Sequence, residues 1–345
     1  MPIVFRMSDA KKNTMIQARR KFLQMTAGAA AGASFFAALA RVAGAQTYPS
    51  RPITLGLPYA AGGGGDALAR ILAERMRMSL GQPVIVENIT GAGGSVGTGR
   101  VARAAPDGYS LILGGWATHV VNAATLTLPY DVVKDFEPVG MVVTQPLMLV
   151  GNNAFAPRTL RELLDWLKAN PDKGSMGTSG VGSATHIAAD FFRMETKSRL
   201  AFVPYRGGGP ALQDLISGQI NIKFELPANS LSLVRAGQIR AYAVTSRERL
   251  TSGPEVPTVD EAGMPGFHIS LWNAIWAPKG TPAPVIARLN AAVRETLADP
   301  AVRARLIDLG LEIPRPEEQM PDALDRHHKA ELEKWLPIIK AAGDK

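Results

Sequence analysis

The chain has 345 residues, 20% of them charged, no cysteine, and 38 Lys+Arg against 30 Asp+Glu. Seven of the basic residues (Arg6, Lys11, Lys12, Arg19, Arg20, Lys21 and Arg41) and one acid, Asp9, lie in residues 1–45, leaving 31 basic against 29 acidic side chains in the rest. A nearly neutral body excludes the basic surface that nucleic-acid or anionic-membrane binding needs, and the lack of cysteine excludes thiol catalysis, zinc–thiolate sites and a lipidated-cysteine anchor.

Residues 1–45 carry the order of an export signal. The pair Arg19-Arg20 is followed by Lys21-Phe22-Leu23-Gln24, then by an uncharged Ala/Gly-rich run to Ala40, then by Ala43-Gly44-Ala45. A basic segment, an apolar segment and a small-x-small site are what a secretory signal peptidase needs, and paired arginines fit the twin-arginine route. Gly28, Gly32, Gln24, Thr26 and Ser34 make the run too weakly apolar for an anchor. Cleavage is expected after Ala45, giving a soluble exported protein of about 300 residues, large enough for two lobes without disulfides.

Beyond the signal, short apolar runs alternate with helical stripes. Residues 53–58 predict a strand, broken by Gly62–Gly65; Asp66 then opens a helix with Leu68, Ile71, Leu72 and Met76 on one face. Val84-Ile85-Val86 and Leu111-Ile112-Leu113 predict two more strands, separated by the glycine-rich residues 91–99 and the turn Pro106-Asp107-Gly108. The pattern restarts with a strand at 147–150 and a helix at 159–169, where Thr159 and Glu162 have capping-box spacing. Strands follow near 175–177, 202–203, 220–224 and 240–245, with helices at 186–194, 210–217, 286–298, 301–309 and 323–342. Strand–helix alternation at this spacing predicts an α/β fold of mainly parallel sheets.

Two loops suit an anion. Tyr59-Ala60-Ala61-Gly62-Gly63-Gly64-Gly65-Asp66 joins a strand to a helix N-terminus, where unpaired amides point outward and glycine lets a ligand come close. It has no Gly-Lys-Ser/Thr ending and is no nucleotide loop; Asp66 reads as an N-cap. Thr178-Ser179-Gly180-Val181-Gly182-Ser183-Ala184-Thr185-His186 repeats the arrangement with hydroxyls from Ser179, Ser183 and Thr185. Trp116, Thr118, His119, Tyr205 and Glu225 follow predicted strands, at the edge where open α/β sheets bind ligands. The five histidines show no metal-ligand spacing, His327 and His328 read as solvated, and no cofactor motif occurs. A hydrolase using Ser183 and His186 is the rival from the enzyme class; it lacks the G-x-S-x-G elbow.

The segments after residue 45 resemble the Bug-type periplasmic solute receptors of tripartite tricarboxylate transporters. The resemblance is carried by Tyr48-Pro49-Ser50-Arg51-Pro52-Ile53, residues 58–66, Leu80-Gly81-Gln82-Pro83-Val84-Ile85-Val86-Glu87-Asn88 and Gly91-Ala92-Gly93-Gly94. Ala105-Pro106-Asp107-Gly108-Tyr109, Leu128-Pro129-Tyr130-Asp131, Val203-Pro204-Tyr205, Val256-Pro257-Thr258 and Glu261-Ala262-Gly263 continue it in the same order. It implies a two-lobed, type II periplasmic-binding fold with lobe 1 at 46–145 plus 271–345 and lobe 2 at 146–270. It implies a monomeric, non-enzymatic receptor that gives a small carboxylate to a membrane permease; a receptor that reports its ligand to a sensor kinase is a third reading. The loops at 59–66 and 179–186 would then hold the carboxylate ends across a cleft. Two positions depart from the family: Ala61 stands where proline is usual, and Glu225-Leu226 where Asp-Asn is usual. The longer Glu225 and the apolar Leu226 point to an aromatic or partly apolar carboxylate.

Overall fold

The strand Ile53–Leu57 (β1) is buried along four of its five positions, as a central parallel strand covered on both faces must be. In the computed structural model, which describes residues 48–181 and 183–343, it pairs in parallel with Val84–Asn88 (β2) and Ser110–Gly115 (β3). Helix Gly64–Leu80 (α1) makes the first crossover and buries Leu68, Ile71, Leu72 and Met76, the predicted stripe. It stops at Gly81, whose φ of 69° lets its N–H reach back to the Arg77 carbonyl. Ser95–Ala102 (α2) makes the second, and after β3 a π-helical turn at Ala117–Val121 leads into Asn122–Thr125 (α3).

Two long strands complete this first sheet. Phe136–Pro146 (β4) and Ser270–Pro278 (β10) run antiparallel to each other, and the order is β2-β1-β3-β10-β4. The second sheet holds Met148–Asn152 (β5), Ser175–Thr178 (β6), Ala201–Pro204 (β7), Ile222–Glu225 (β8) and Ile239–Val244 (β9), in the order β7-β6-β8-β5-β9. Its helices are Leu160–Ala169 (α4), Ala184–Thr196 (α5), Gly208–Ser217 (α6) and Pro227–Arg235 (α7). Ala283–Ala298 (α8), Pro300–Asp308 (α9) and Pro321–Gly343 (α10) return to the first sheet, α8 and α10 packing on β4.

Both sheets are mixed. Each has a three-stranded parallel part (β2-β1-β3, β7-β6-β8) extended by two antiparallel strands. The antiparallel strand β4 is interrupted in sequence by Pro138 and Gly140, which mimic a break. The ladder tolerates Pro138 at a register shift opposite Ile275/Trp276. Gly140 is required because a Cβ there would sit 2.6 Å from the Gln319 carbonyl oxygen.

The chain divides into the units Met1–Ser50 and Arg51–Lys345; of the first, only residues 48–50 are described, so the expected signal at 1–45 lies outside the described residues. Within the second unit the two sheets form two lobes joined by two crossings. The first is Leu147, between β4 and β5; the second leaves β9 at Thr245 and re-enters β10 after Ile269. The wholly buried Thr245 ties them: its N–H donates to Leu147 O (2.8 Å), its hydroxyl accepts from Leu147 N (2.9 Å) and lies 2.6 Å from Ile269 O. No helix among the described residues is long and apolar enough to cross a membrane.

Candidate ligand-binding site

The strand register fixes which edges face the gap between lobes. In the first sheet Ser270 pairs with Pro146 beside the crossing, and Asn273 pairs with Gly115, so β3 runs towards the crossing. In the second sheet Met148, next to Leu147, pairs with Glu225 at the end of β8. The C-terminal ends of both parallel sets therefore lie on the side of the crossings, the edge of an open α/β sheet where ligands bind.

The first loop is held from below by Asp66. Helix α1 begins at Gly64, with Gly63 as its N-cap, so Asp66 is the third helical residue and not the cap expected from sequence. Glycine's weak helix propensity hides this earlier start. The buried carboxylate accepts from Gly62 N (3.0 Å) and Arg70 Nε (2.9 Å) on one oxygen, and from Asn88 Nδ2 (3.1 Å) on the other. Asn88 also donates to Tyr59 O at 3.0 Å, clamping the start of the loop. The Arg70 hydrogen bond first, then the Gly62 amide and Asn88, holds the Asp66 carboxyl at about 2, below its usual 3.8. Its oxygens serve the loop, while the exposed Ala60, Gly62, Gly63 and Gly64 present main chain outward. The amides of Gly64 and Gly65 find no acceptor among the described residues. Tyr59 is half-buried, and burial raises its phenol.

The second loop is tied by Thr185, which has 7% of its surface exposed. Its Oγ1 accepts from Ser179 N (2.8 Å) and lies 3.1 Å from Ser183 Oγ, closing the loop on itself. Ser183 caps α5 by accepting from His186 N at 3.2 Å. The His186 ring instead meets Thr178 Oγ1 (3.4 Å) and Asp190 (3.5 Å), so the Ser183–His186 pair is not arranged as nucleophile and base. Gly180, at φ +115°, allows the turn; Gly182 lies outside the described residues. Ser179 Oγ makes no hydrogen bond among the described residues, and Val181 is 79% exposed at the loop tip.

Tyr205 and Glu225 flank this loop. Tyr205 donates from its hydroxyl to Asp214 (2.7 Å); burial, then that carboxylate, pushes the phenol up to about 12. Glu225 is buried, and its Oε1 accepts from Leu226 N (2.8 Å) and Asn229 Nδ2 (3.1 Å). Its Oε2 pairs with the fully buried Lys223, whose Nζ also donates to Gly208 O at 3.1 Å. Sequence reasoning passed over Lys223, although a lone lysine inside the strand Ile-Lys-Phe-Glu is a detectable signal.

The residues after β3 fold inward, unlike the expected cleft-lining placement. Thr118 is wholly buried, accepts from Gly115 N (3.0 Å), and lies 2.9 Å from His119 Nδ1. His119 is also wholly buried, stacks on Trp276 with centroids 3.8 Å apart, and is kept well below the usual histidine range by burial and then by His328. Trp116 is buried with its edge on Trp335 (5.6 Å), and its Nε1 has no partner among the described residues. His328 is not solvated: it is 3% exposed and its Nε2 lies 3.0 Å from His119 O. Burial lowers it, and lowers its neighbour His327 to about 4.

Known proteins share this architecture. The periplasmic binding protein BugD is 38% identical, with a TM-score of 0.66 over 86% of this chain and 99% of its own. MatC of Rhodopseudomonas palustris, solved with bound malate, is 38% identical with a TM-score of 0.67 over 85% of this chain and all of its own. The R. palustris protein Rpa4515, solved with adipate, is 31% identical with a TM-score of 0.68 over 86% and 98%. The family model described as the tripartite tricarboxylate transporter family receptor matches residues 68–343, from the first turns of α1 to the end of α10. Together with the two mixed sheets, that match shows that the chain belongs to the tripartite tricarboxylate transporter receptor family.

Proposed function

We propose that this receptor captures a small carboxylate between its lobes outside the cytoplasm and gives it to a membrane permease, without catalysis of its own. The observation that carries this is the state of the two loops at the strand ends. Asp66 and Thr185 are spent on holding them, so main-chain amides at Gly63–Gly65 and the Ser179 hydroxyl are left for a ligand. Such donors suit carboxylate oxygens without a fixed positive charge. The malate of MatC and the adipate of Rpa4515 support the ligand class. The exposed Val181 and the apolar Leu226 favour a ligand with an aromatic or alkyl body. Tyr59, Gly62, Gly182, Ser183, Tyr205 and Glu225 would shape the same gap.

The lobes in this proposal are 46–145 plus 271–345, and 146–270, with 1–45 as a twin-arginine signal cleaved after Ala45. A panel of aliphatic and aromatic carboxylates, titrated into the purified protein by calorimetry and thermal shift, tests the reading. Saturable binding with a raised melting temperature is expected for at least one carboxylate. Stabilisation only by neutral solutes would sink it, as would turnover of an activated ester that disappears in Ser183→Ala.

A further inference from the structure

The wall of the second lobe contains an acid that ought to repel an anion. Glu225 ends β8 at the edge facing the gap, directly below the first turn of α6. A Cβ placed on Gly208 would lie 3.4 Å from Glu225 Oε2 and 3.5 Å from Ser179 Oγ, so the carboxylate adjoins the proposed anion loop. The same strand supplies the answer. Alternation puts Lys223 and Glu225 on one face of the sheet, away from Ile222 and Phe224. Lys223 has no exposed side-chain surface, and its Nζ reaches Glu225 Oε2 and the Gly208 carbonyl. The other carboxylate oxygen is filled by Leu226 N and Asn229 Nδ2. An unpaired buried charge of either sign is costly, and each member of the pair removes that cost for the other.

We propose that the Lys223–Glu225 pair is a specificity device that sets the receptor to carboxylates lacking an amino group. This rests on the receptor reading above and names the ligand subclass of the same site. The pair leaves the wall electrically neutral, so a ligand carboxylate approaching Ser179 meets no net repulsion. It also occupies Glu225 Oε1 with two donors and Oε2 with the Lys223 ammonium, so a ligand ammonium would have to compete with a built-in one of the same charge. An amino-bearing ligand would bury its charge without a partner, and a plain, hydroxy- or aromatic carboxylate would not. Glu225 and Lys223 act as positioning residues through each other and the loop.

Matched ligands differing only in the α-amino group isolate the effect: succinate with aspartate, glutarate with glutamate, adipate with 2-aminoadipate. Calorimetric titration of the full receptor should show the plain member binding at least tenfold tighter in every pair that binds. In Lys223→Met, which frees a negative Glu225 oxygen, that ratio should fall at least tenfold, with the plain acid weakened. In Glu225→Gln, which leaves Lys223 positive, the plain acid should bind as well or better and the amino acid should remain excluded. The double variant, neutral again, should return the ratio to within about threefold of the starting protein, which gives a readout even where Lys223→Met alone folds poorly. A pair that only holds the fold together would move both members of each set equally; that result overturns the proposal and leaves the receptor reading standing. An unaltered receptor that binds no carboxylate at all would instead overturn the receptor reading, and this inference with it.

Discussion

Asp66 shows how an acidic residue can hold a loop together without opposing the anion proposed to bind there. Three donors engage both its oxygens, so its charge is directed at Gly62 N–H, Arg70 and Asn88 before any ligand arrives. Because the fold holds its carboxyl at about 2 against the usual 3.8, the ionised form is favoured in the folded state. The sign follows: this tether contributes fully above about pH 4 and is lost as pH falls towards 2. The melting temperature of the unaltered protein should therefore exceed that of Asp66→Asn by a constant margin at neutral pH, and the margin should close between about pH 4 and pH 2. A margin that does not change with pH would disprove the tether. The neighbouring Gly63 makes the complementary test. Its φ of −87° suits any residue, and an added Cβ would meet only the Ala60 carbonyl oxygen, at 4.0 Å. Gly63→Val replaces a favoured N-cap residue by a disfavoured one and should cost about 1 kcal/mol without unfolding the protein. By covering the exposed amides it should weaken binding by about 10- to 100-fold, the value of a charge-assisted hydrogen bond of ~1.5–3 kcal/mol. Undiminished affinity in calorimetry would mean that the glycine loop is only a turn.

At the scale of elements, what the sequence reveals depends on whether a pattern is local. The parallel strands are legible because they are short, mostly apolar and punctuated by glycine, as in Ile53–Leu57 and Ser110–Gly115. The glycine and hydroxyl loops at their ends are legible for the same reason. The antiparallel strands β4 and β10 are not, because their stability comes from pairing across about 130 residues of chain and from a bulge that absorbs Pro138. Helix α7 also escapes, since Pro227 at its start reads as a break rather than as a first-turn residue. The inward turn of His119 is equally non-local: Trp276, on a distant strand, supplies the face it stacks on. The crossings belong to this scale too. Replacing Thr245 by valine keeps the shape but removes the acceptor for Leu147 N–H and the partner of the Ile269 carbonyl, both inside the protein. Leaving such groups unmet costs about 1–3 kcal/mol. Denaturant unfolding should show a loss of that size in Thr245→Val, with most of it recovered in Thr245→Ser; an unchanged midpoint would show that the crossings do not need the tie.

Across the whole molecule, the two lobes meet in an aromatic seam as well as at the crossings. Trp335 on α10 lies against Trp116 of the first lobe (5.6 Å) and Phe191 of the second (5.3 Å), while Phe191 stacks on Phe267 (4.8 Å). Half-buried Glu331 accepts from the indole N–H groups of Trp272 (3.2 Å) and Trp335 (3.1 Å), locking the ring of Trp335 in place. The seam lies where α10 reaches α5, so a rotation about Leu147 and Thr245 must slide or repack it. A ligand held by both loops can bias that rotation only by binding the closed arrangement more tightly than the open one. Saturating carboxylate should therefore lower the radius of gyration in solution scattering, and at about 100 times the Kd it should stabilise the protein by ~2.7 kcal/mol. Trp335→Ala removes the ring that both lobes rest on. If the seam sets the relative energy of the two arrangements, this variant should change the apparent affinity of the plain carboxylate while the loop residues that hold it are untouched. Compaction on binding with no dependence on Trp335 would place the control of closure in the crossings alone. Binding without compaction would mean that the loops take their ligand in a gap already set by the fold.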